Sequence, residues 1–316
     1  MADDAPVSPT LSLQLISFSG EDHPDWTTLI AQATGADEAG IDRLIVSDHI
    51  AFGTALDAYG DPKLGGTAGG KQPTGPDGHW LEPLTLLSVI AGRTSHIRLQ
   101  TGILLAALRR PAVLAKTAAT LDVLSGGRLD LGVGVGWQRE EYEVAGLDFE
   151  TRGRRLDHTL EVCQALWTQQ AATYESPELT FSDIHAMPKP AQPGGVPIWV
   201  SGRINAPVLR RLARFGSGWI PWGDDAADPL PGVARIREAL SAAGRPDMVQ
   251  VQGSLPMARN GDGKIDLDET MAALPPLVDA GITDFKAFVR LGGGHDQTVE
   301  ELAPLVTAFR QAVGRG

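Results

Sequence analysis

The stretch LDVLSGGRLDLGVGVGWQREEYEVAGLDFETRGRRLDHTLEVCQALW, Leu121–Trp167, decides the fold. Its centre, Leu129–Val135, is a short apolar run with the length of a buried strand. Arg154–Gln169 follows with helical periodicity, and its apolar residues at i, i+4, i+7 and i+11 are Leu156, Leu160, Cys163 and Trp167. The stretch therefore predicts a strand and a helix that packs on a sheet, with Cys163 as a core residue and not a nucleophile.

Seven similar pairs of a strand and a helix account for most of the remaining chain. The eight predicted strands are Leu11–Ser17, Ile41–Ser47, Ile97–Leu104, Leu129–Val135, Pro197–Ser201, Trp219–Pro221, Val249–Ser254 and Thr283–Val289. The eight predicted helices are Asp25–Ala39, Pro83–Arg93, Ala112–Val123, Arg154–Gln169, Ala206–Phe215, Pro231–Ala243, Glu269–Ala280 and Val299–Val313. This alternation predicts an α/β fold, a (β/α)8 TIM barrel that forms one domain over residues 1–316. An open, doubly wound sheet of eight strands fits the same pattern.

Two segments are longer than a minimal barrel requires. Asp57–His79 is a Gly- and Pro-rich loop after the second strand, and Tyr174–Met187 is a small insertion after the fourth helix. Loops of this length are commonly functional, and the first follows the C-terminal end of a strand, where barrel active sites lie. We therefore predict that Asp57–His79 forms a lid.

The composition excludes several classes of function. Hydrophobic residues make up 42% of the 316 residues and charged residues 21%, as in folded globular proteins. The net charge of -12 disfavours nucleic acid as a partner, and the single cysteine cannot form an internal disulfide or a thiolate zinc cage. The first ten residues lack the features of a signal peptide, and no apolar run approaches the roughly 20 residues of a membrane span. We expect a cytoplasmic protein without membrane contact.

Three motifs come close to known ligand-binding patterns but are incomplete. GGTAGGKQ at Gly65–Gln72 has P-loop spacing, but it lacks the Ser or Thr that holds Mg²⁺, and Pro73 forbids the helix that should follow. NGDGKIDLDE at Asn260–Glu269 resembles part of an EF-hand loop whose first ligand position is Ala258, which leaves weak Ca²⁺ binding as a minor alternative. LGVGVGW at Leu131–Trp137 lacks the third glycine of the dinucleotide fingerprint. We predict no metal site and no nicotinamide cofactor.

Polar residues at the end of the second strand are candidates for chemistry. Ser47–His49 lies where a barrel has its active face. His49 is able to protonate a bound ring or substrate near neutral pH, and Asp48 is able to orient it. A strand-end histidine with a purely structural role is an equal alternative.

Two further strand ends carry features of a binding site. Gly132, Gly134 and Gly136 alternate along the fourth strand, which permits a flat ring to approach the backbone closely. Ser201–Asn205 joins the fifth strand to a helix and combines an arginine with the free N–H groups of a helix start. The second feature predicts an anion site, and a plain helix N-cap is the alternative.

The segment Leu121–Trp167 closely resembles the luciferase-like monooxygenase superfamily. Four more segments share the resemblance: VSDH at Val46–His49, RTSHIRLQTGILL at Arg93–Leu105, PKPAQPGGVPIWVSG at Pro188–Gly202 and LARFGSGW at Leu212–Trp219. Together they cover Gly40–Trp222, and they are most similar to the actinobacterial branch of F420-dependent oxidoreductases.

The resemblance implies a barrel whose C-terminal mouth binds coenzyme F420 or FMN, usually in a homodimer. The bulge that supports the ring, often a cis peptide in this family, falls at Gly102–Ile103 and is preceded by Thr101. The cofactor-binding positions are Asp48, His49, Thr101, Gly102, Ile103, Gly134, Gly136, Trp137 and the phosphate loop Ser201, Gly202, Arg203 and Ile204. His49 and Glu140 are the candidate catalytic residues.

One departure concerns the sugar-phosphate dehydrogenases of this family. In those members a catalytic glutamate directly follows the glycine-rich strand, and an aromatic residue follows the Asp-His pair after a short gap. Trp137 and Gly53 take these two places here, so oxidation of a sugar phosphate is not expected.

Three functional hypotheses follow. The first is hydride transfer between F420 and a small organic substrate, with His49 as proton donor or electrostatic support. The second is an FMN-dependent monooxygenase, in which reduced flavin reacts with O₂. The third is a flavin-binding protein without catalysis, for which any measured activity would be indifferent to His49→Ala.

Overall fold

Eight parallel strands close into a barrel in the computed structural model, which describes residues 8–22, 24–245 and 249–315. The strands are β1 Thr10–Gln14, β2 Arg43–Val46, β3 Arg98–Thr101, β4 Leu129–Val133, β5 Ile198–Ser201, β6 Gly216–Ile220, β7 Gln250–Ser254 and β8 Asp284–Ala287. Each strand pairs with its neighbours in the chain, and β1 pairs with both β2 and β8. The predicted TIM barrel is confirmed, and the open sheet is excluded.

The helices cover the outside of this barrel. They are α1 Trp26–Ala39, α2 Pro83–Ala91, α3 Pro111–Leu124, α4 Arg152–Thr168, α5 Ala206–Phe215, α6 Leu230–Ala242, α7 Leu267–Ala272, α8 Leu274–Ala280 and α9 His295–Ala312. The helix predicted at Glu269–Ala280 is two helices, because Pro275 lacks the N–H that would continue the first and favours the start of a second. In the described part of the chain, no helix is both long and apolar enough to cross a bilayer.

The two predicted extensions are present. The loop after β2 contains a 3-10 turn at Leu56–Gly60, and its end, His79–Trp80, pairs antiparallel with Phe18–Ser19. The insertion after α4 is a hairpin of Ala172–Glu175 and Thr180–Ile184. The remaining short elements are 3-10 turns at Ala106–Leu108 and Phe149–Thr151 and helices at Arg139–Val144 and Asp224–Ala227.

Buried charges fill the lower interior of the barrel. The Arg43 guanidinium forms ion pairs with Asp130, at 3.1 Å, and with Asp284. Its central carbon lies 4.5 Å from the ring centroid of Trp199, and the Gln252 amide donates to Asp284 at 2.8 Å. The lower interior of the barrel is therefore a packed core, and barrels of this type bind their ligands at the C-terminal face.

Cys163 is fully buried, as the helical periodicity predicts, and its Sγ lies 3.7 Å from the Pro111 carbonyl oxygen. Burial raises the pKa of the thiol to about 12. A thiol that is neutral and inaccessible does not attack a disulfide. We expect no reaction with Ellman's reagent in the native protein and one thiol per chain after unfolding in guanidinium; prompt native reactivity would contradict the burial.

Candidate active site at the barrel rim

The C-terminal ends of β2 to β5 bring the predicted site residues together at one rim. A cavity of about 490 Å³ lies elsewhere, beside the start of β6 and the hairpin, where Glu161 and Arg214 are among its lining residues. None of the predicted site residues lines that cavity, and barrels of this type place their chemistry at the C-terminal face. We therefore locate the candidate site at the rim.

His49 follows β2 and is held by a buried carboxylate. Its Nδ1 lies 3.1 Å from Glu141 Oε2, and Glu141 Oε1 accepts the Ile50 N–H at 2.9 Å. Glu141 is fully buried, whereas the His49 side chain is 11% exposed. Because an ionised carboxylate only accepts hydrogen bonds, Nδ1 carries a proton and Nε2 is the atom left for a ligand.

Glu141, the residue after the candidate catalytic Glu140, is the partner of His49. Both residues belong to the short helix Arg139–Val144, but successive helical residues point in different directions. The Glu140 side chain lies against Gly53, where an added Cβ would come within 2.4 Å of its Cγ. Glu140 thus occupies the space that an aromatic residue at position 53 would need.

Aromatic rings enclose His49. Phe52 and Trp80 lie with their ring centroids 4.5 and 4.8 Å from the imidazole. Trp137 is 6.0 Å away and is only 5% exposed, since it packs between His49 and Tyr59. The predicted ring-contacting residue Trp137 is thus a wall of the histidine pocket, and its indole lies under the loop after β2.

A buried glutamine positions the segment that follows His49. With its amide oriented to satisfy both neighbours, Gln138 donates to the Ala51 carbonyl at 3.2 Å and accepts the Gly53 N–H at 2.9 Å. Gln138 is 1% exposed. Nothing in its sequence context indicated this role, because its partners lie about 85 residues earlier in the chain.

The bulge after β3 lies where the resemblance implies. The Gly102–Ile103 peptide is cis, and both residues are half-buried at the rim. Thr101 is buried, and its hydroxyl donates to the Gly132 carbonyl at 2.7 Å, which ties the end of β3 to β4. The side chain of Ile103 lies over Gly134, on the side of β4.

The glycines that follow β3 and β4 do not form an open shelf, which corrects the sequence interpretation. A Cβ at Gly134 would lie 2.0 Å from Ile103 Cδ1, and one at Gly136 would lie 2.9 Å from Leu105 Cδ2. At Gly102 the same position is taken by the Ile45 side chain, 2.3 Å away. These glycines make room for apolar side chains, so Ile103, supported by Gly134, is the surface that a flat ring would meet.

The sequence suggested that Asp48 orients His49, but the Asp48 carboxylate has other partners. Its carboxylate accepts the Leu105 N–H at 2.8 Å and pairs with Arg109 at 2.6 Å. Arg109 also pairs with Glu82 at 2.8 Å. Asp48 therefore fixes the loop after β3, which carries Ile103, and orients His49 only through the shared backbone.

The predicted phosphate loop follows β5 and already contacts an anionic group. Ser201 is half-buried at the strand end, and the Gly202 N–H donates to the Ile220 carbonyl at 3.2 Å. The Ile204 N–H, next to the start of α5, donates to the Asp225 carboxylate at 2.6 Å. This backbone donor thus binds an oxyanion, and a cofactor phosphate would compete with Asp225 for it.

The loop after β2 crosses from the histidine to the phosphate loop. Its Gly66 carbonyl accepts from Arg203 at 3.4 Å, and its Gly65 carbonyl accepts from the Trp222 indole at 2.8 Å. A Cβ on Gly65 would also lie 3.4 Å from the Gly136 carbonyl oxygen. The predicted lid segment therefore covers the rim. In the EF-hand-like segment after β7, the side chains of Asn260 and Asp266 accept backbone N–H groups of their own loop.

Comparison with known proteins identifies the family to which the chain belongs. The model of the family described as luciferase-like monooxygenase matches residues 11–260. The F420-dependent glucose-6-phosphate dehydrogenase of Kineococcus radiotolerans is 32% identical over 219 residues, which are 67% of this chain and 58% of that protein.

Solved structures share the fold. An F420-dependent secondary alcohol dehydrogenase in complex with an F420–acetone adduct superposes with a TM-score of 0.72 at 16% identity, covering 96% of this chain and 99% of the other. Monooxygenase RslO1 from Streptomyces bottropensis gives 0.68 at 20% identity, covering 95% and 98%. At these identities the likeness extends to the barrel alone.

Proposed function

Because the chain belongs to the luciferase-like monooxygenase family, we propose that it is an enzyme that transfers hydride between coenzyme F420 and a small organic substrate. The observation that carries the proposal is the position of His49 on the strand next to the Ile103 surface, with an oxyanion-binding loop two strands further along. A proton donor, a flat apolar support and an anion site at one rim are what a phosphate-bearing redox ring requires.

The residues at the rim fit such a cofactor. Ile103 would support the ring, and the Ser201 hydroxyl, Arg203 guanidinium and Ile204 N–H would hold the phosphate. Bound F420 supplies a carbon-based hydride donor or acceptor. These donors are neutral or cationic. The Asp225 carboxylate accepts the Ile204 N–H, and it must give up this hydrogen bond before a phosphate can use the same donor.

His49 would hold and move the proton that accompanies the hydride. In the direction of substrate reduction, the imidazolium would donate its Nε2 proton to the substrate and become a neutral imidazole, whose Nδ1–H stays bonded to the Glu141 carboxylate. Phe52, Trp80 and Trp137 limit the water that reaches the imidazole. The segment 57–79 would act as a lid, since it already spans the rim.

The second candidate is an FMN-dependent monooxygenase, because the same ring support and phosphate loop suit either tricyclic cofactor. Turnover separates the two. We expect anaerobic consumption of reduced F420 with a panel of carbonyl and alkene acceptors, at a rate that O₂ does not raise. A hydroxylated product that forms only with reduced FMN and O₂ would contradict the proposal, and cofactor binding without turnover would indicate a binding protein.

Replacing Asp225 with asparagine is expected to tighten F420 binding by about tenfold. The amide oxygen keeps the hydrogen bond to Ile204, but the charge that competes with the phosphate is gone. Fluorescence titration measures the dissociation constant, with the exposed neighbour Asp224→Asn as the control. Equal affinities for both variants would mean that the phosphate binds elsewhere.

The oligomeric state and the location of the protein are also part of the proposal. We propose a homodimer, for which light scattering after gel filtration should give twice the mass of one chain. α2 and α3 offer exposed apolar side chains, Val89, Val113 and Leu124, for such a contact. A cytoplasmic location is the matching expectation for an enzyme that uses a reduced cofactor.

A further inference from the structure

Lys286 projects into the barrel from β8. On this strand Asp284 points inward, where it pairs with Arg43, while Phe285 and Ala287 are fully buried under the helices. Because side chains alternate along a strand, Lys286 points inward as Asp284 does, one layer closer to the rim. The half-buried lysine therefore lies on the inner face of β8, one layer nearer the C-terminal rim than Asp284.

The Lys286 ammonium has no anionic partner in the part of the chain that the structure describes. No carboxylate lies within 4.0 Å of its Nζ and no hydrogen-bond acceptor is in reach; its neighbour is the Phe288 ring, with the centroid 4.9 Å away. Asp284, one layer below, is already bonded to Arg43, Ser12 and Gln252. Burial lowers the pKa of Lys286, and the charge of Asp284 opposes that shift.

Three arginines with little solvent exposure are differently placed. Arg43, Arg109 and Arg211 each form an ion pair with at least one aspartate. Lys286 is half-buried, so its charge has lost part of its hydration without gaining a counter-ion, and a ligand of opposite charge would compensate for that loss. Lys286 is thus suited to bind an anion that enters from the rim.

The location separates this anion from the cofactor. The residues proposed to support the ring and hold the phosphate, Ile103 and Ser201–Ile204, lie at the ends of β3 and β5, whereas β8 lies on the other side of β1 and β2. Gln14 of β1 and Ser254 of β7 flank this half of the rim with neutral polar groups. The half that contains Lys286 is therefore left for the substrate.

We propose that the substrate is an organic acid whose carboxylate pairs with Lys286. This inference rests on the proposed function for the identity of the reaction, but not for the binding of the acid. His49 follows β2 and Lys286 lies on β8, and both strands pair with β1. Neighbouring strands lie about 4.8 Å apart. The reacting carbon of the acid, near His49, is accordingly several bonds from the carboxylate.

Calorimetry with benzoate and its neutral isostere benzamide tests the pairing, at constant ionic strength and on the full chain with and without F420. We expect benzoate to bind about tenfold more tightly than benzamide, and Lys286→Gln to abolish this difference. Lys286→Arg should keep it, and Lys264→Gln, at an exposed lysine, is the matched control. The absence of a preference in the unmodified protein, or its persistence in Lys286→Gln, would overturn the inference.

A second measurement uses the unmodified protein, so it tests the inference even if the Lys286→Gln variant fails to fold. In the unmodified protein, benzoate should protect Lys286 but not Lys264 from acetic anhydride, as read by peptide mass spectrometry. Equal labelling with and without benzoate overturns the inference. If F420 does not bind while benzoate still depends on Lys286, the proposed function fails and the acid site stands. If Lys286→Gln weakens F420 binding as strongly as benzoate binding, the lysine serves the cofactor and the inference is wrong.

Discussion

Replacing His49 with alanine is expected to lower kcat/KM for F420-dependent turnover by about 10²–10⁴-fold, the usual contribution of a positioned general acid or base. The physical reason is that Nε2 is the free nitrogen of an imidazole whose Nδ1 is bonded to Glu141. Anaerobic initial rates measure the loss. The dissociation constant of F420 should change little, because the proposed ring and phosphate contacts lie on other strands.

Glu141 provides the matching test of position. Glu141→Gln keeps the size of the side chain but removes the charge that fixes the protonated Nδ1, so we expect an intermediate loss in kcat with KM nearly unchanged. Glu140→Gln is the control, since that side chain packs against Gly53. Full activity in His49→Ala, or a larger loss in Glu140→Gln than in Glu141→Gln, would show that the proton comes from elsewhere.

Replacing Arg43 with methionine is expected to lower the free energy of unfolding by about 3–5 kcal/mol, because it leaves the buried Asp284 without its counter-ion and leaves Asp130 paired only with Arg98. Asp130 and Asp284 both pair with Arg43, and all three side chains are at most 3% exposed. Urea unfolding followed by circular dichroism gives the difference from the midpoint and slope.

An exposed ion pair is the control for this effect. Arg214 pairs with Glu161, but its side chain is 63% exposed, and such pairs contribute about 0–1 kcal/mol. Arg214→Met should therefore be close to the unmodified protein. If the two methionine variants lost similar amounts of stability, the buried cluster would not have the energetic role described above.

The fold was predictable because it depends on patterns that repeat. Apolar runs of strand length, followed by helices with one apolar face, recur eight times and are set by local burial. The exception at α7 and α8 arises where Pro275 and Pro276 interrupt a helical pattern. Closure of the sheet does not follow from such local patterns, because it depends on pairing between β1 and β8 at opposite ends of the chain.

The site was predictable only in part. The positions of His49, Ile103 and Ser201–Ile204 at one rim follow from motifs at the ends of strands. The choice between Glu140 and Glu141 depends on how a six-residue helix is rotated, and a lone sequence does not contain that angle. The partner of Asp48 is Arg109, which belongs to a different strand's loop.

Gly134 and Lys286 show a related difficulty. Glycine at 134 was correctly associated with a close approach, but the approaching group is the chain's own Ile103. Lys286 reads as one more surface lysine until the closed barrel shows that its strand position faces inward. Both features depend on which residues from distant strands face each other.

The most direct test of the central claim is an anaerobic titration of the purified protein with F420 and, separately, with FMN, followed by the fluorescence of each cofactor. The account predicts saturable binding of F420 at one site per chain, at least about tenfold tighter than FMN, and tighter again in Asp225→Asn. Binding of FMN in preference to F420, or of neither cofactor, would contradict it.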